Sequence, residues 1–267
     1  MIDFRIKHHI VIMKLIDTHC HLYLNEFRQD INAVIIKAKA AGVTKFYLPA
    51  IDSGIINDML ALEATFPGEC FAMMGLHPCS VKENYKDELV IAEDWLNKRK
   101  FVAVGEIGLD FYWDKTFADQ QYESFQIQMQ WALKRSLPVV IHTRNAIEET
   151  IAAVRPFAEK GLRGIFHCFG GTYNNAKEII DMQFLLGIGG VVTYKKSGLA
   201  EVLAKIDLKH IVLETDAPYL APVPFRGKRN ESSYLEFIVS KLATIKNITA
   251  TEVAAATTEN AEKIFGN

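Results

Sequence analysis

Short apolar runs alternate along this chain with longer stretches in which apolar residues recur every three or four positions. The runs at 15–18, 45–49, 71–75, 102–107, 138–142, 164–167, 184–188 and 211–214 predict eight strands. Between them, segments such as 25–41, 85–98, 118–135 and 146–160 carry the amphipathic pattern of helices, and Gly42 and Gly161 follow where a helix end favours glycine. Nearly continuous apolar strands alternating with helices imply a parallel sheet covered by helices. Eight such units in 267 residues predict one α/β domain, a TIM-type (β/α)8 barrel. The alternative, a doubly wound open sheet, more often shows a Gly-rich phosphate loop after its first strand, and "DTHCHL" is not one. Residues 1–12 read as an N-terminal extension to a domain spanning 13–267.

Polar residues break the apolar pattern at one kind of place. The carboxyl ends of barrel strands face the loops that carry chemistry. Here those ends supply His19 and His21 from the first strand, His77 beyond the third, Glu106 from the fourth, His142 from the fifth, His167 from the sixth, and Glu214 and Asp216 from the eighth. Five of the eight histidines therefore fall at one predicted mouth, while His8, His9 and His210 do not.

A His-x-His pair places both imidazoles on one side if the extended conformation continues through it. Alone, such a pair is as readily a strand cap and a solvated side chain as a chelate, and a lone histidine ending a strand is usually a satisfied polar residue at the core's edge. Converging with carboxylates, these imidazoles would be costly to bury without a cation to balance them. Imidazole with carboxylate suits Zn, Mn, Fe or Mg rather than a soft-metal site. One ion can use His19, His21 and Asp216, a second His142 and His167, and Glu106 has two oxygens with which to bridge them. A pair of divalent ions is hydrolytic equipment.

Composition changes this picture little. With 30 Lys+Arg against 32 Asp+Glu, the net charge of −2 gives no global attraction to a polyanion, so any nucleic acid must be held by a local patch. The four cysteines, Cys20, Cys70, Cys79 and Cys168, form neither a Cys-x-x-Cys pair nor a secreted disulfide framework. No run approaches the ~18 apolar residues of a membrane span, and the apolar stretch at 9–13 is too short for a signal-peptide core. A soluble, cytoplasmic protein is expected.

Taken in order, "DTHCHL", "GLHP", "VGEIGLDF", "PVVIHTRNA", "HCFGG" and "LETDAPYLAP" followed by "FRGKRNE" resemble the TatD family of metal-dependent deoxyribonucleases, within the amidohydrolase-like barrels. The resemblance runs from Met13 to nearly the end of the chain. It implies His19, His21, Glu106 and Asp216 at one metal, Glu106, His142 and His167 at the other, and His77 at the substrate phosphate. Related barrels often use a carboxylated lysine where Glu106 falls, so the glutamate points to this branch. Two departures stand out: the extension over residues 1–12, and Ser232 where a proline is common after the Asn-Glu pair.

The segment from Pro224 to Asn230 carries Arg226, Lys228 and Arg229 just before an expected helix, with Asn230 as a candidate N-cap. Alone it reads as a solvated basic turn. Its position after Asp216 makes it an anion site, with Arg226 and Lys228 as phosphate donors. Arg144 is either a further donor or half of a structural ion pair. Tyr112 and Trp113, following the fourth strand, are packing residues or a surface on which a base can stack.

The expected activity is phosphodiester hydrolysis with two divalent ions (Mg, Mn or Zn), a metal-activated water and Asp216 as its orienting group or base. Glu214 assists, holds another ion or supports a ligand from behind, and Asp110 is a further support candidate. Without a DNA-reading motif, the expected partner is DNA engaged at single-stranded ends by an exonuclease, with no membrane and no obligate protein partner. The competing readings are the same metal chemistry on an aminoacyl-tRNA ester, a lactone or a cyclic amide, and a barrel that binds metal or nucleic acid without turnover.

Overall fold

The computed structural model describes residues 13–266, and the extension over 1–12, with His8 and His9, lies outside the described residues. Eight strands form: β1 (Leu15–Asp17), β2 (Val43–Leu48), β3 (Cys70–Ala72), β4 (Val104–Asp110), β5 (Val139–Arg144), β6 (Gly164–Phe166), β7 (Leu185–Ile188) and β8 (Ile211–Leu213). All neighbours are parallel, in the sequential orders β1-β2-β3 and β4-β5-β6-β7-β8. A parallel bridge between Met74 and Val104 joins the two sheets at one edge. At the other, Thr18 N donates to Leu213 O at 3.0 Å, and the Thr18 hydroxyl donates to the same carbonyl at 2.9 Å. The result is an α/β barrel of the TIM type, with strands running in chain order around it.

Helices α1 (Ile31–Ala40), α2 (Ile56–Thr65), α3 (Tyr85–Lys98), α4 (Ala118–Arg135), α5 (Ile147–Ala158), α6 (Tyr173–Asp181), α7 (Leu199–Leu203), α8 (Leu235–Lys246) and α9 (Ala250–Phe265) accompany the strands. The expected helix over 25–41 is shorter than its pattern. Residues Asn25–Phe27 make a 3-10 turn, and Asp30 leaves helical geometry (φ −136°, ψ 15°) before α1 begins. The turn buries Phe27, with the Arg229 guanidinium 4.7 Å from its ring.

Period two along the strands builds the interior in layers. Ile16, Tyr47, Met73, Ala103, Val140, Ile165 and Val212 meet in one apolar cluster, into which α9 inserts Ala261 and Phe265. The Phe265 ring stacks on Tyr47 at 3.9 Å. Two residues further along the chain, Val140, Ile165 and Val212 are followed by His142 on β5, His167 just past β6 and Glu214 just past β8. A closed apolar floor thus supports a polar layer at the carboxyl mouth.

Candidate metal centre

Glu106 sits at a break in the β4–β5 register, where Gly105 pairs with Val140 and Ile107 with Ile141, leaving Glu106 as the extra residue. A bulge of this kind re-aims a side chain. Its N–H donates to Ala50 O at 3.2 Å instead of to the neighbouring strand. Downstream, Gly108 has φ +147°, and a Cβ there would lie 2.0 Å from His142 O. Only glycine lets β4 approach β5 closely enough to bring Glu106 to His142.

The two oxygens of Glu106 face different imidazoles. Oε2 lies 3.2 Å from His19 Nε2 and 3.7 Å from His21 Nε2. Oε1 lies 2.8 Å from His142 Nδ1, 3.2 Å from His167 Nε2 and 3.4 Å from His77 Nε2. Asp216 Oδ1 joins the first group, 3.8 Å from His19 Nε2 and 3.6 Å from His21 Nε2. The structure therefore brings His19, His21, Glu106, His142, His167, Asp216 and His77 into one buried or half-buried cluster.

The route to that convergence differs from the expected continuing strand, because β1 ends at Asp17. Backbone bonds from Cys20 to Tyr47 O (3.0 Å) and from His21 to Ala217 O (2.7 Å) fix the turn instead. Asp17 anchors it from below: Thr215 N and Oγ1 donate to its two oxygens at 2.9 and 2.6 Å. Burial pushes the Asp17 carboxyl up to about 6, against the lowering effect of those bonds. Asp216 follows in the left-handed region at φ 57°, its N–H donating to His19 O at 2.9 Å. Local strain of about 1 kcal/mol for a non-glycine residue is held there by these ties.

Neighbouring groups select which imidazole nitrogen is free. Tyr23 donates its hydroxyl to Pro49 O, so at 2.8 Å from His21 Nδ1 it accepts that nitrogen's proton and leaves Nε2 with its lone pair toward Glu106 and Asp216. Asp110 Oδ2 lies 2.9 Å from His142 Nε2, which leaves His142 Nδ1 facing Glu106. The opposite holds at His77, where Cys79 N donates to Nδ1 at 3.0 Å. Its proton then sits on Nε2, making His77 a donor into the site rather than a ligand.

Burial pushes the Glu106 carboxyl up, but His77, His19, His167 and the His142 bond overcome it and hold it well below the usual carboxylate range. Asp216 is lowered in the same way, burial being outweighed by the His21 hydrogen bond and by His167 and His19. Burial, then His167, lowers His19. His167 is raised well above its ordinary value, because Glu214 and Glu106 overcome burial. His142 is raised as Asp110 and Glu106 overcome the same desolvation.

Three sets of donor atoms each lie within 4.8 Å of one another: His19, His167 and Asp216; His19, His21 and Glu106; His77, Glu106 and His142. Buried beside them without a hydrogen-bond partner are His19 Nδ1, His167 Nδ1 and Glu214 Oε2. Opposed lone pairs, such as His19 Nε2 and His21 Nε2 at 3.3 Å, are stabilised by a shared cation. The donor set is all imidazole and carboxylate, and it fits a divalent metal. A metal competes with protons for these imidazoles, so its binding weakens as pH falls.

The remaining expected residues are distributed differently. Glu214 is fully buried behind His167, 3.2 Å from its Nδ1, and accepts from Cys168 N. A Cβ on Gly187 would lie 2.2 Å from Glu214 Oε2, so glycine there makes room for this carboxylate. Arg226 and Lys228 are exposed, the Arg226 guanidinium lying 4.6 Å from the Tyr194 ring. Arg229 is structural, bonding Asp30 through both terminal nitrogens at 2.9 and 2.7 Å.

Asn230 does not cap a helix, since Tyr234 precedes α8. Its buried amide donates to Thr215 O and Tyr219 O, both at 2.7 Å, and staples the loop that carries Asp216. Ser232, the family departure, is fully buried at the start of a 3-10 turn. Arg144 forms no ion pair among the described residues and stacks over Tyr112 at 3.8 Å. Tyr23, Asp17 and Cys79 were not expected at the site. The first two are brought there by contacts with segments distant in the chain, Tyr23 through Pro49 O and Asp17 through Thr215.

An α/β barrel with this donor cluster at its carboxyl mouth defines a metal-dependent hydrolase, and comparison with known proteins agrees. The family model "TatD related DNase" matches residues 16–266, and the chain belongs to the TatD family. The Bacillus subtilis protein YabD, described as an uncharacterized metal-dependent hydrolase, is 36% identical over 252 residues, covering 94% of this chain and 98% of its own. YcfH of Escherichia coli K12, with the same description, is 31% identical over 264 residues, covering 95% and 96%. The crystal structure of YjjV, a TatD homologue from Escherichia coli K12, superposes with a TM-score of 0.90 at 30% identity, covering 96% of this chain and 99% of that one.

Proposed function

We propose that the protein is an exonuclease acting on single-stranded DNA ends, hydrolysing phosphodiester bonds with two divalent ions, Mg, Mn or Zn. The observation that carries this reading is the division of Glu106, with Oε2 at 3.2 Å from His19 and Oε1 at 2.8 Å from His142. His19, His21 and Asp216 would hold one ion, His142 and His167 the other, and Glu106 would lie between them. When bound, such a pair lowers the pKa of a coordinated water and stabilises attacking and leaving oxygens together.

The chain's own groups supply the rest. Asp216, ionised and at the mouth, accepts the proton of the attacking water. His77 donates its Nε2 proton to a phosphoryl oxygen, and Arg226 and Lys228 neutralise the adjoining phosphate. Glu214 holds His167 in position from behind. A cytoplasmic setting is part of the proposal, supported by four free thiols.

The test is product sizing from 3′- and 5′-labelled single strands, with chelation and add-back of each metal, beside metal counting on the purified protein. Mononucleotide release that chelation abolishes, with two ions per chain, is expected. Cleavage of charged tRNA or a lactone without cleavage of any strand would replace the substrate assignment.

A further inference from the structure

An aromatic surface at the mouth is left unused by this chemistry. Just beyond β4, Tyr112 is 52% and Trp113 68% exposed, and their rings meet edge to face at 4.9 Å. Arg144, the last residue of β5, spreads its guanidinium over both, 3.8 Å from the Tyr112 centroid and 5.1 Å from that of Trp113. Their exposure excludes a core-packing role, and single exposed aromatics are ordinary.

What sets these two apart is how they are tied to the donor cluster. Asp110 Oδ1 accepts from Tyr112 N at 2.9 Å and from Trp113 N at 3.2 Å, while Oδ2 lies 2.9 Å from His142 Nε2. One buried carboxylate therefore positions a metal-facing imidazole with one oxygen and the backbone of the two rings with the other. Asp110 and Arg144 are paired in the β4–β5 ladder, and Phe111 N donates to Arg144 O at 2.9 Å. The rings are presented by a strand end locked to the site.

We propose that Tyr112, Trp113 and Arg144 form a platform on which a nucleobase of the substrate strand stacks, directing that nucleotide's phosphate to the mouth beside His142. This rests on the nuclease reading and deepens it. Every base has a π face, so such a platform favours strands over small phosphoesters without reading sequence. With no carboxylate paired to it among the described residues, Arg144 adds a cation–π contact on one side and a free donor edge for phosphate on the other.

Of the three tryptophans, Trp131 is buried and Trp95 half-buried, which makes Trp113 the accessible reporter. Titrating the full chain with oligothymidylate should quench tryptophan fluorescence, and the Trp113→Phe variant should lose that quench. In anisotropy of a labelled oligothymidylate, Trp113→Ala should weaken binding about ten-fold, and Tyr112→Leu in the same direction. An otherwise identical abasic strand should bind wild type and Trp113→Ala alike.

Equal affinity of wild type for base-bearing and abasic strands, or unchanged affinity in both variants, would overturn the platform. Cleavage of labelled strands separates the two proposals. Quenching and base-dependent binding without cleavage keep the platform and refute the nuclease, whereas equal kcat/KM on base-bearing and abasic ends refutes the platform and keeps the nuclease.

Discussion

The floor and the mouth of the barrel are built from the same strands with opposite chemistry. Val140 lies two residues below His142, Ile165 below His167, and Val212 below Glu214. In the floor, burying each large apolar side chain contributes roughly 1.5–3 kcal/mol. In the mouth, buried imidazoles and carboxylates return little net stability, because desolvation consumes most of their attraction. This fold separates what holds it together from what reacts by a step of two residues along each strand and its carboxyl end.

Four substitutions sharpen that separation. Glu106→Gln removes the charge both imidazole groups share, and turnover should fall about 10³-fold, the scale of losing a preorganised electrostatic group. A variant with near-normal metal-dependent turnover would break the assignment of Glu106. Phe265→Ala, which empties the ring stacked on Tyr47, should cost about 3 kcal/mol in denaturant unfolding. Metal content and turnover per folded molecule should hold, and loss of metal in this variant would show that floor and mouth are coupled.

Asp110→Asn leaves the ligands in place but weakens the bond that orients His142. Metal affinity measured by competitive chelation should drop about 10- to 100-fold, with little change in unfolding.

The smallest effect lies outside both layers, at the Asp30–Arg229 pair. Arg229's hydrogen bonds hold the Asp30 carboxyl below its ordinary 3.8, against slight burial. The folded state therefore binds the proton less readily than the unfolded one, and the pair stabilises above that value and stops doing so as acidification protonates the folded carboxyl. For a half-exposed pair screened by solvent this amounts to about 0.5 kcal/mol. The melting difference between wild type and Asp30→Asn should be present at neutral pH and shrink as pH falls below 3.8. A constant difference would assign the effect to packing against Phe27.

The strands were legible because apolar runs on both faces leave few alternatives, and seven of the donor-cluster residues were legible because each interrupts such a run or follows it closely. Local geometry was less so. The break of α1 at Asp30 depends on Arg229, nearly two hundred positions away. Asn230 has the residue type of a cap, yet its amide is taken by carbonyls of a loop folded back on it. Arg229 stands in the same basic turn as Arg226 and Lys228, and nothing local in the sequence shows that its guanidinium is bound to Asp30. Asp17 carried no sign that it would bind Thr215 beneath the cluster.

The sequence by itself determined the alternation of strand and helix, the class of fold and the residue types gathered at the mouth, since hydrophobic periodicity and strand-end polarity are properties of neighbouring positions. The tertiary structure decided which oxygen of Glu106 faces which imidazole, which nitrogen of each histidine is free, and which cations are spent on structure. Those choices depend on approach between segments far apart in the chain, where a bulge at Glu106 or the missing side chain of Gly108 shifts atoms by the ångström on which coordination depends.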